Sequence, residues 1–593
     1  MTTVKKLEQL RAEMKKNKIN AYIIPSADPH QSEYVASRWK TREWISGFDG
    51  SAGTVVVTMK KAGLWTDGRY FIQAENQLKG SSIALFKAGL PETPDYKEWL
   101  KTELKSTDSI GFDSSVMSIA EVDMLKKEFE SAGIKVKPGS DLVDAIWKER
   151  PPFPSGKGAL HPLKYTGKNR QDKLKMIREK MEEMQVDYHL FASLDDIAWI
   201  FNVRGNDVSC NPVVMGFGLI SKKSAELFVK KGKFCNRKLK SLEKDGVKVR
   251  EYDDIYAALS KLNKGKLFLD PARCSQSLLS TIDTKKVEIV RGTNVTQIMK
   301  AVKNSVEIEG MKKAHISDGI AMVKFLYWLD TTLGKEKISE MSASEKLEKF
   351  RAEGENFAGL SFEAISGYGE HGAIVHYRVT EESSIEIKPQ GLYLIDSGGQ
   401  YLSGTTDITR TVAAGKLTKK MKKDFTLVLK GHIAIATARF PQGFTSGTHL
   451  DALARIALWK NGQNYSHGTG HGVGAYLSVH EGPIGITPRW HETKLVPGMV
   501  ISNEPGYYEA GEYGIRIENL ILVKEIEETK WGKFLGFEDL TMCPIDTRAV
   551  EPEMLLDEEK RWLNDYHKTV YQTLSPHLKK DEKSWLKKMT AAI

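Results

Sequence analysis

The sequence predicts a mixed α/β protein of several domains, and three observations carry that prediction. Its 593 residues exceed what a single hydrophobic core organises. A set of helix, strand, acidic turn and strand patterns occurs twice, in the same order, in the N-terminal half. From about Ser305 onward the chain becomes rich in glycine and in short apolar strands.

The first copy opens with an amphipathic helix near residues 3–17. It continues through AYII, SADPHQSEY and EWISGFDGSAG and closes on the strand-like TVVVT. The second opens with the helical DKLKMIREKMEEM and continues through YHLFAS, LDDIAWIFNVRGNDV and PVVMGFGLI. Letter by letter the match is weak, but the shared order predicts two α/β domains, 1–150 and 151–304, the first carrying an insertion after its acidic turn. ERPPFPSGKG at 149–158 marks the joint, because proline removes a backbone donor and biases its predecessor away from helix. A third domain, 305–550, begins with a long helical pattern and holds the strands GLYLID and GIRIENLILV. The extension 551–593 returns to helix, with Leu555, Leu556, Trp562, Leu563, Tyr566 and Val570 at three-to-four spacing. Such a stripe packs into a core or, on a C-terminal extension, covers a dimer surface.

Composition excludes several classes. No apolar run approaches the roughly 18 residues of a membrane-spanning helix, and MTTVKKLEQLRAEMKK lacks the apolar core of a signal peptide. The four cysteines (Cys210, Cys235, Cys274, Cys543) are scattered without a C-x-x-C pair, which fits a reducing, cytoplasmic location. The net charge of +10 invites a nucleic-acid reading, but lysines interleave with glutamates and describe solvated helix faces. The expectation is no nucleic acid and no membrane.

The chemistry concentrates in the third domain. HGTGHGVG at 467–474 sets two histidines four apart, but its interior glycines each cost a helix about 0.8–1 kcal/mol. It therefore reads as loop or strand. Asp396 ends the apolar strand GLYLID, sharing a face with Leu392 and Leu394. Asp407 sits in TTDITRTV, placed to turn back toward Asp396, and Glu504 follows the apolar strand MVISN. In YGIRIENLILV, read as one strand, Arg516 and Glu518 share the inward face. Four carboxylates within a few Å would repel one another until most were protonated near neutral pH. Two divalent cations balance four negative charges. A set of oxygens with one imidazole suits Mn²⁺ best, with Zn²⁺ and Co²⁺ as alternatives.

Asp396, Asp407, His471, Glu504 and Glu518, with the flanking HGTGHGVG, HEGP (480–483), NEPG (503–506), RIEN (516–519) and the HY of IVHYR, resemble the five-ligand motif of the pita-bread metallopeptidases, family M24. That family includes methionine aminopeptidase, prolidase and aminopeptidase P. WTDGRY at 65–70, WIFNVRG at 199–205 and the helical extension extend the resemblance over essentially the whole chain, to the three-domain aminopeptidase P branch. It implies two creatinase-like N-terminal α/β domains ahead of a pita-bread (duplicated α+β) catalytic domain. Asp396 and Asp407 would then ligate one metal, with Asp407 bridging; His471 and Glu504 would complete the second site, with Glu518 bridging. His376, His480 and Glu504 would be catalytic. His376, His467, His480, Tyr508, Arg516 and Arg69 would meet substrate, Arg69 from the same chain or a partner subunit. The implied reaction is metal-dependent removal of the residue before a penultimate proline, by a hydroxide bridging two metal ions, in a cytoplasmic homodimer joined through the third domain and its extension. The alternatives are a prolidase-like Xaa-Pro dipeptidase and a non-catalytic binding protein of the same fold. Intact ligands argue against the second of these and against a creatinase-like hydrolase. The long N-terminal region argues against a methionine aminopeptidase.

Overall fold

Both N-terminal repeats form six-stranded sheets of one design. In the first, the strand order is Ala84–Lys87, Ala62–Thr66, Thr54–Thr58, Ala21–Pro25, Ser109–Asp113, Lys135–Gly139. In the second it is Val247–Glu251, Ala225–Val229, Gly216–Ser221, Tyr188–Phe191, Lys266–Leu269, Glu288–Arg291. The fourth strand in each order pairs antiparallel with the third and parallel with the fifth. Ala21–Ile24 is buried throughout, because helices cover both faces of such a sheet; hence the unbroken apolar run AYII where a one-sided strand would alternate. The first helix, Thr3–Lys16, is capped by the Thr2 hydroxyl and buries Leu7, Leu10 and Met14 at helical spacing.

The computed structural model describes residues 1–593. These divide into two units: Met1–Pro162 with Lys168–Thr296, and Leu163–Gly167 with Gln297–Ile593. Both repeats lie in the first unit, where the buried His30 ring contacts the Ala192 carbonyl and the Tyr252 hydroxyl, each at 2.8 Å.

The second unit contains the long helix Ser305–Thr332, whose Asn304 cap accepts from the backbone of Val306 and Glu307 while Glu307 reaches back. Two of its antiparallel sheets carry most of the site. One orders Ile365–Tyr368, Leu392–Ser397 and Ile408–Ala413; the other orders Phe440–Pro441, Gly532–Asp539, Asn519–Thr529 and Val500–Asn503. The segment read as one strand, YGIRIENLILV, is two. Tyr513–Arg516 forms a hairpin with Gly506–Glu509, and Asn519–Thr529 pairs with Val500–Asn503. At the change of partner, the Ile517 and Glu518 amides donate to the carbonyls of Pro505 and Thr409.

The C-terminal helices Asp557–Leu574 and Lys580–Met589 belong to the main core of this unit. Leu555, Leu563, Tyr566 and Val570 are buried, whereas Leu556 is 57% exposed, so the apolar stripe is core packing with one member left outside. The extension is also wired to the centre of the unit through Arg410, a fully buried guanidinium. It donates to the carbonyls of Glu518 (2.6 Å), Cys543 (2.8 Å) and Pro544 (3.0 Å), to Asn519 Oδ1 (2.8 Å) and to the Tyr566 hydroxyl (3.0 Å).

Deleting the Tyr566 hydroxyl removes an acceptor of the Arg410 guanidinium and of the buried Cys543 amide, and the donor to the Thr541 carbonyl. Tyr566→Phe is expected to cost the unit about 1–3 kcal/mol, read as a lower urea midpoint, while Leu556→Ala stays within about 0.5 kcal/mol of the parent. Equal effects of the two would contradict this account of the extension.

Candidate metal centre

The ligand candidates sit where strands end. Asp396, near the end of Leu392–Ser397, lies opposite Thr409 in the neighbouring strand, and Asp407 immediately precedes that strand. Glu504 follows Val500–Asn503, and Glu518 occupies the break where the chain changes sheets. His471 comes from the two-residue strand Gly470–His471, which pairs with Gly485–Ile486. The glycine-rich stretch is thus a loop with a two-residue strand at its centre, not a helix. Close approach explains the glycines: a Cβ on Gly470 would lie 1.9 Å from the Ser502 carbonyl oxygen, and one on Gly472 would lie 2.2 Å from that of Glu481.

These elements bring the acids together. His471 Nε2 lies 3.4 Å from Asp407 Oδ2 and 3.4 Å from Glu504 Oε1. Asp407, His471 and Glu518 each offer a ligand atom within 4.8 Å of the others. The Thr409 hydroxyl holds Glu518 Oε2 at 2.7 Å and the Ser502 hydroxyl holds Glu504 Oε1 at 3.1 Å. Arg516 donates to Asp396 Oδ2 at 2.6 Å, while Asp396 Oδ1 is buried with no hydrogen-bond partner.

Charge makes this arrangement untenable alone. Burial lifts the Asp396 carboxyl above its usual range, with Arg516 opposing, and lifts Glu518 well above, with Asp407 adding to the rise. Burial pushes Glu504 up to about 7 against the opposing pull of His471 and Arg516. Burial disfavours charge on His471, but Asp407 and Glu504 outweigh it and raise the imidazole to about 9. His471 Nδ1 lies 3.0 Å from the Gly472 carbonyl, which can only accept, so Nδ1 carries a proton and Nε2 faces the carboxylates. A neutral ring there aims a lone pair at two anions. An orphaned buried oxygen, an aimed imidazole nitrogen and an excess of carboxylates fit a pair of divalent cations held by Asp396, Asp407, His471, Glu504 and Glu518.

Of the other predicted residues, His480, His467, Tyr508 and Arg516 make contacts that lead to this cluster, the backbone beside His376 meets Arg516, and Arg69 belongs to the first unit. The His480 ring lies edge-on to His471 at 4.3 Å between centroids. His467 Nδ1 donates to the Gly468 carbonyl at 2.8 Å, so its Nε2 accepts the Tyr508 hydroxyl proton at 2.8 Å. Tyr508 in turn accepts from Arg516 at 2.6 Å. His376 follows Val375, whose carbonyl accepts from Arg516 at 3.4 Å. Arg69 belongs to the other unit, where its guanidinium grips both oxygens of Asp67 at 2.8 and 2.7 Å.

Sequence reasoning missed the residues that hold the site. Buried Arg455 is paired with Asp451 at 2.6 Å, lies 3.8 Å from the Tyr465 ring centroid and donates to the carbonyls of Tyr465 and His467, each at 2.7 Å. Lys303 and Glu481, both buried, meet at 2.5 Å beneath the loop that carries His480. Thr409 was within reach of reasoning, since strand alternation two residues after Asp407 puts it on the same face. The Lys303–Glu481 contact spans 178 residues and leaves no local signal.

Comparison with known proteins covers the whole chain. The family model for metallopeptidase family M24 matches residues 309–525, and that for the C-terminal region of these peptidases matches 533–593. Creatinase/prolidase N-terminal domain models match 6–146 and 149–307. A probable Xaa-Pro aminopeptidase P of Paracoccidioides brasiliensis is 42% identical, covering 100% of this chain and 99% of the relative. One from Aspergillus fumigatus is 43% identical, covering 100% and 93%. Among solved structures, the X-prolyl aminopeptidase of Caenorhabditis elegans, a cytosolic enzyme with a di-nuclear active site, superposes with a TM-score of 0.95 at 36% identity, covering 100% of both chains. The Xaa-Pro dipeptidase of Bacillus anthracis superposes with a TM-score of 0.51 at 25% identity and covers 64% of this chain and 99% of its own.

Protons and metal compete for the same atoms, which fixes the sign of a pH dependence. Glu504 binds a proton below about 7 and His471 below about 9 in the metal-free centre. Metal binding must displace both, so apparent affinity rises with pH through that window and levels off above it. Calorimetric titration of metal-free protein with Mn²⁺ checks this; a flat profile would remove Glu504 and His471 from the ligand set.

Proposed function

The chain belongs to metallopeptidase family M24, and from that premise we propose how its centre works as a metal-dependent aminopeptidase that removes the N-terminal residue from peptides with proline in second place. The observation carrying this reading is the gathering of Asp396, Asp407, His471, Glu504 and Glu518 around a buried carboxylate oxygen with no protein partner. The full-length likeness to Xaa-Pro aminopeptidases supports it over the dipeptidase alternative, whose structural relative spans only 64% of the chain.

When bound, two divalent ions lower the pKa of water toward neutrality and polarise a peptide carbonyl. The protein's own groups do the rest. Glu504, at the end of Val500–Asn503 beside His471, takes up the proton of the attacking water. His480, edge-on to His471, donates to the oxygen where negative charge develops. His376 hydrogen-bonds the groups on either side of the broken amide. Proline has no N–H to offer, so its slot must present ring faces rather than acceptors. His467 and Tyr508 suit such a slot. Their polar atoms are consumed by Gly468, by each other and by Arg516, which leaves their ring faces for the pyrrolidine.

Mn²⁺ is the proposed ion, on the strength of four carboxylates to one imidazole. A cytoplasmic location is supported by four free cysteines and by the cytosolic C. elegans neighbour; no helix is long and apolar enough to cross a membrane. A homodimer is supported by the helix Gly447–Trp459, which leaves Leu453, Ile456 and Trp459 on one exposed face.

Purified protein is expected to cleave Arg-Pro-Pro, to lose activity on chelation and to regain it with Mn²⁺. Cleavage of Arg-Pro but not Arg-Pro-Pro would favour the dipeptidase. Asp407→Asn should abolish metal loading by elemental analysis while the N-terminal unit stays folded, and His376→Ala should lower kcat/KM by about 10²-fold. Ile456→Glu should shift sedimentation from dimer to monomer; an unchanged boundary would place the interface elsewhere.

A further inference from the structure

Between Ile365–Tyr368 and Leu392–Ser397 the chain passes through one short 3₁₀ turn, Gly369–Ala373, and otherwise irregular backbone. This stretch carries His376, and near that residue no ladder fixes it; its one backbone tie to the Glu340 element is the isolated bridge between Ser339 and Glu386. One carboxylate on that element holds it. Glu340, the first residue of helix Glu340–Ala352, is 0% exposed, and both of its oxygens are spent on this segment. Oε1 accepts from the Tyr368 amide at 2.7 Å; Oε2 accepts from the Ile385 amide and the Tyr377 hydroxyl, each at 3.1 Å. His371 Nδ1 lies 3.0 Å from both oxygens, and its ring stacks on Tyr377 at 4.4 Å. Tyr368 and His371 precede His376, while Tyr377 and Ile385 follow it, so the segment is pinned on both sides. It also reaches the metal centre: the Val375 carbonyl accepts from Arg516, which holds Asp396.

We propose that Glu340 is a positioning residue for His376, a buried four-point clamp that fixes the turn presenting this imidazole to the scissile amide. The proposal rests on the functional reading above. A carboxylate suits this position because the Tyr368 and Ile385 amides can only donate and a carboxylate only accepts. An amide at this position would turn its own N–H₂ against one of them, leaving buried donors unsatisfied. The carboxylate touches neither metal ligand nor substrate slot, so its effect on turnover must travel through the segment it holds.

The test is a double-mutant cycle on the metal-loaded enzyme. Glu340→Gln is expected to lower kcat/KM for Arg-Pro-Pro by about 10- to 100-fold, the scale of an ångström-sized misplacement. Metal content should stay unchanged, and amide exchange across residues 369–385 should quicken. In a His376→Ala background the same change should cost less than about 2-fold, because the two residues act as one unit. Equal losses in both backgrounds, loss of metal, or unchanged exchange across the segment would overturn the proposal. If Glu340→Gln fails to fold, Tyr377→Phe removes one donor and enters the same cycle with an expected loss of about 3- to 10-fold. A parent enzyme that leaves Arg-Pro-Pro intact would refute the functional reading alone, and the exchange measurement would then decide the clamp.

Discussion

Mutual repulsion among Asp396, Asp407, Glu504 and Glu518 sets the terms for everything built around them. Burial deprives these acids of the water that would screen them, and three of the four are lifted above the ordinary carboxyl range. The protein supplies Arg516 and His471 as contacting positive groups, and two charges do not balance four. The remainder is a standing demand for cations, in a cavity whose ligand atoms are oxygens and one oriented nitrogen. A buried charge cluster of this kind is poor material for stability. It persists because the surrounding sheets hold it in place.

The scaffold meets that demand in two ways. Strand ends carry the acids, and neighbouring hydroxyls aim them: Thr409 for Glu518 and Ser502 for Glu504. Arg410 ties the Glu518 carbonyl to Tyr566, so the C-terminal extension is part of the machinery that sets a ligand. The three histidines around the acids lie outside long regular strands, and each stretch is braced by a different buried charge. Glu340 pins the His376 segment, Arg455 pins the His467 carbonyl, and Lys303 pins Glu481 beside His480. Irregular backbone lets the rings converge from three directions, and a single buried charge meeting several partners restores the order that missing ladders would have given.

Much of this was legible because some constraints are local. Apolar runs ending in an acid marked Asp396 and Glu504, and glycine density around His471 marked backbone crowding, which the 1.9 Å approach at Gly470 explains. The repeated order of elements was enough to foresee two sheets, although the identity between copies is slight. What escaped was long-range. YGIRIENLILV has the alternation of one strand, and only the competing partners Gly506–Glu509 and Val500–Asn503 divide it at Glu518. Glu340 looks like an ordinary acid in the first turn of a helix, where the helix dipole alone would justify it. Its four partners lie 28 to 45 residues away, and no periodicity announces them.

Arg516 shows how far the two halves of the site depend on one another. One guanidinium nitrogen binds Asp396 at 2.6 Å, and another binds Tyr508 at 2.6 Å. Tyr508 passes the order on to His467, whose tautomer is already fixed by Gly468. The chain Asp396–Arg516–Tyr508–His467 therefore runs without a break from a proposed metal ligand to the rings proposed to receive proline. Because every link is a charge-assisted or fully committed hydrogen bond, none can rotate without exposing a buried donor or acceptor. A shift of Asp396 would move the tyrosine, and a proline seated against the tyrosine would press back on Asp396. In the proposed function one rigid relay thereby reads both metal binding and the penultimate residue, which accounts for a buried arginine standing two residues from Glu518, a proposed ligand with which it shares no hydrogen bond.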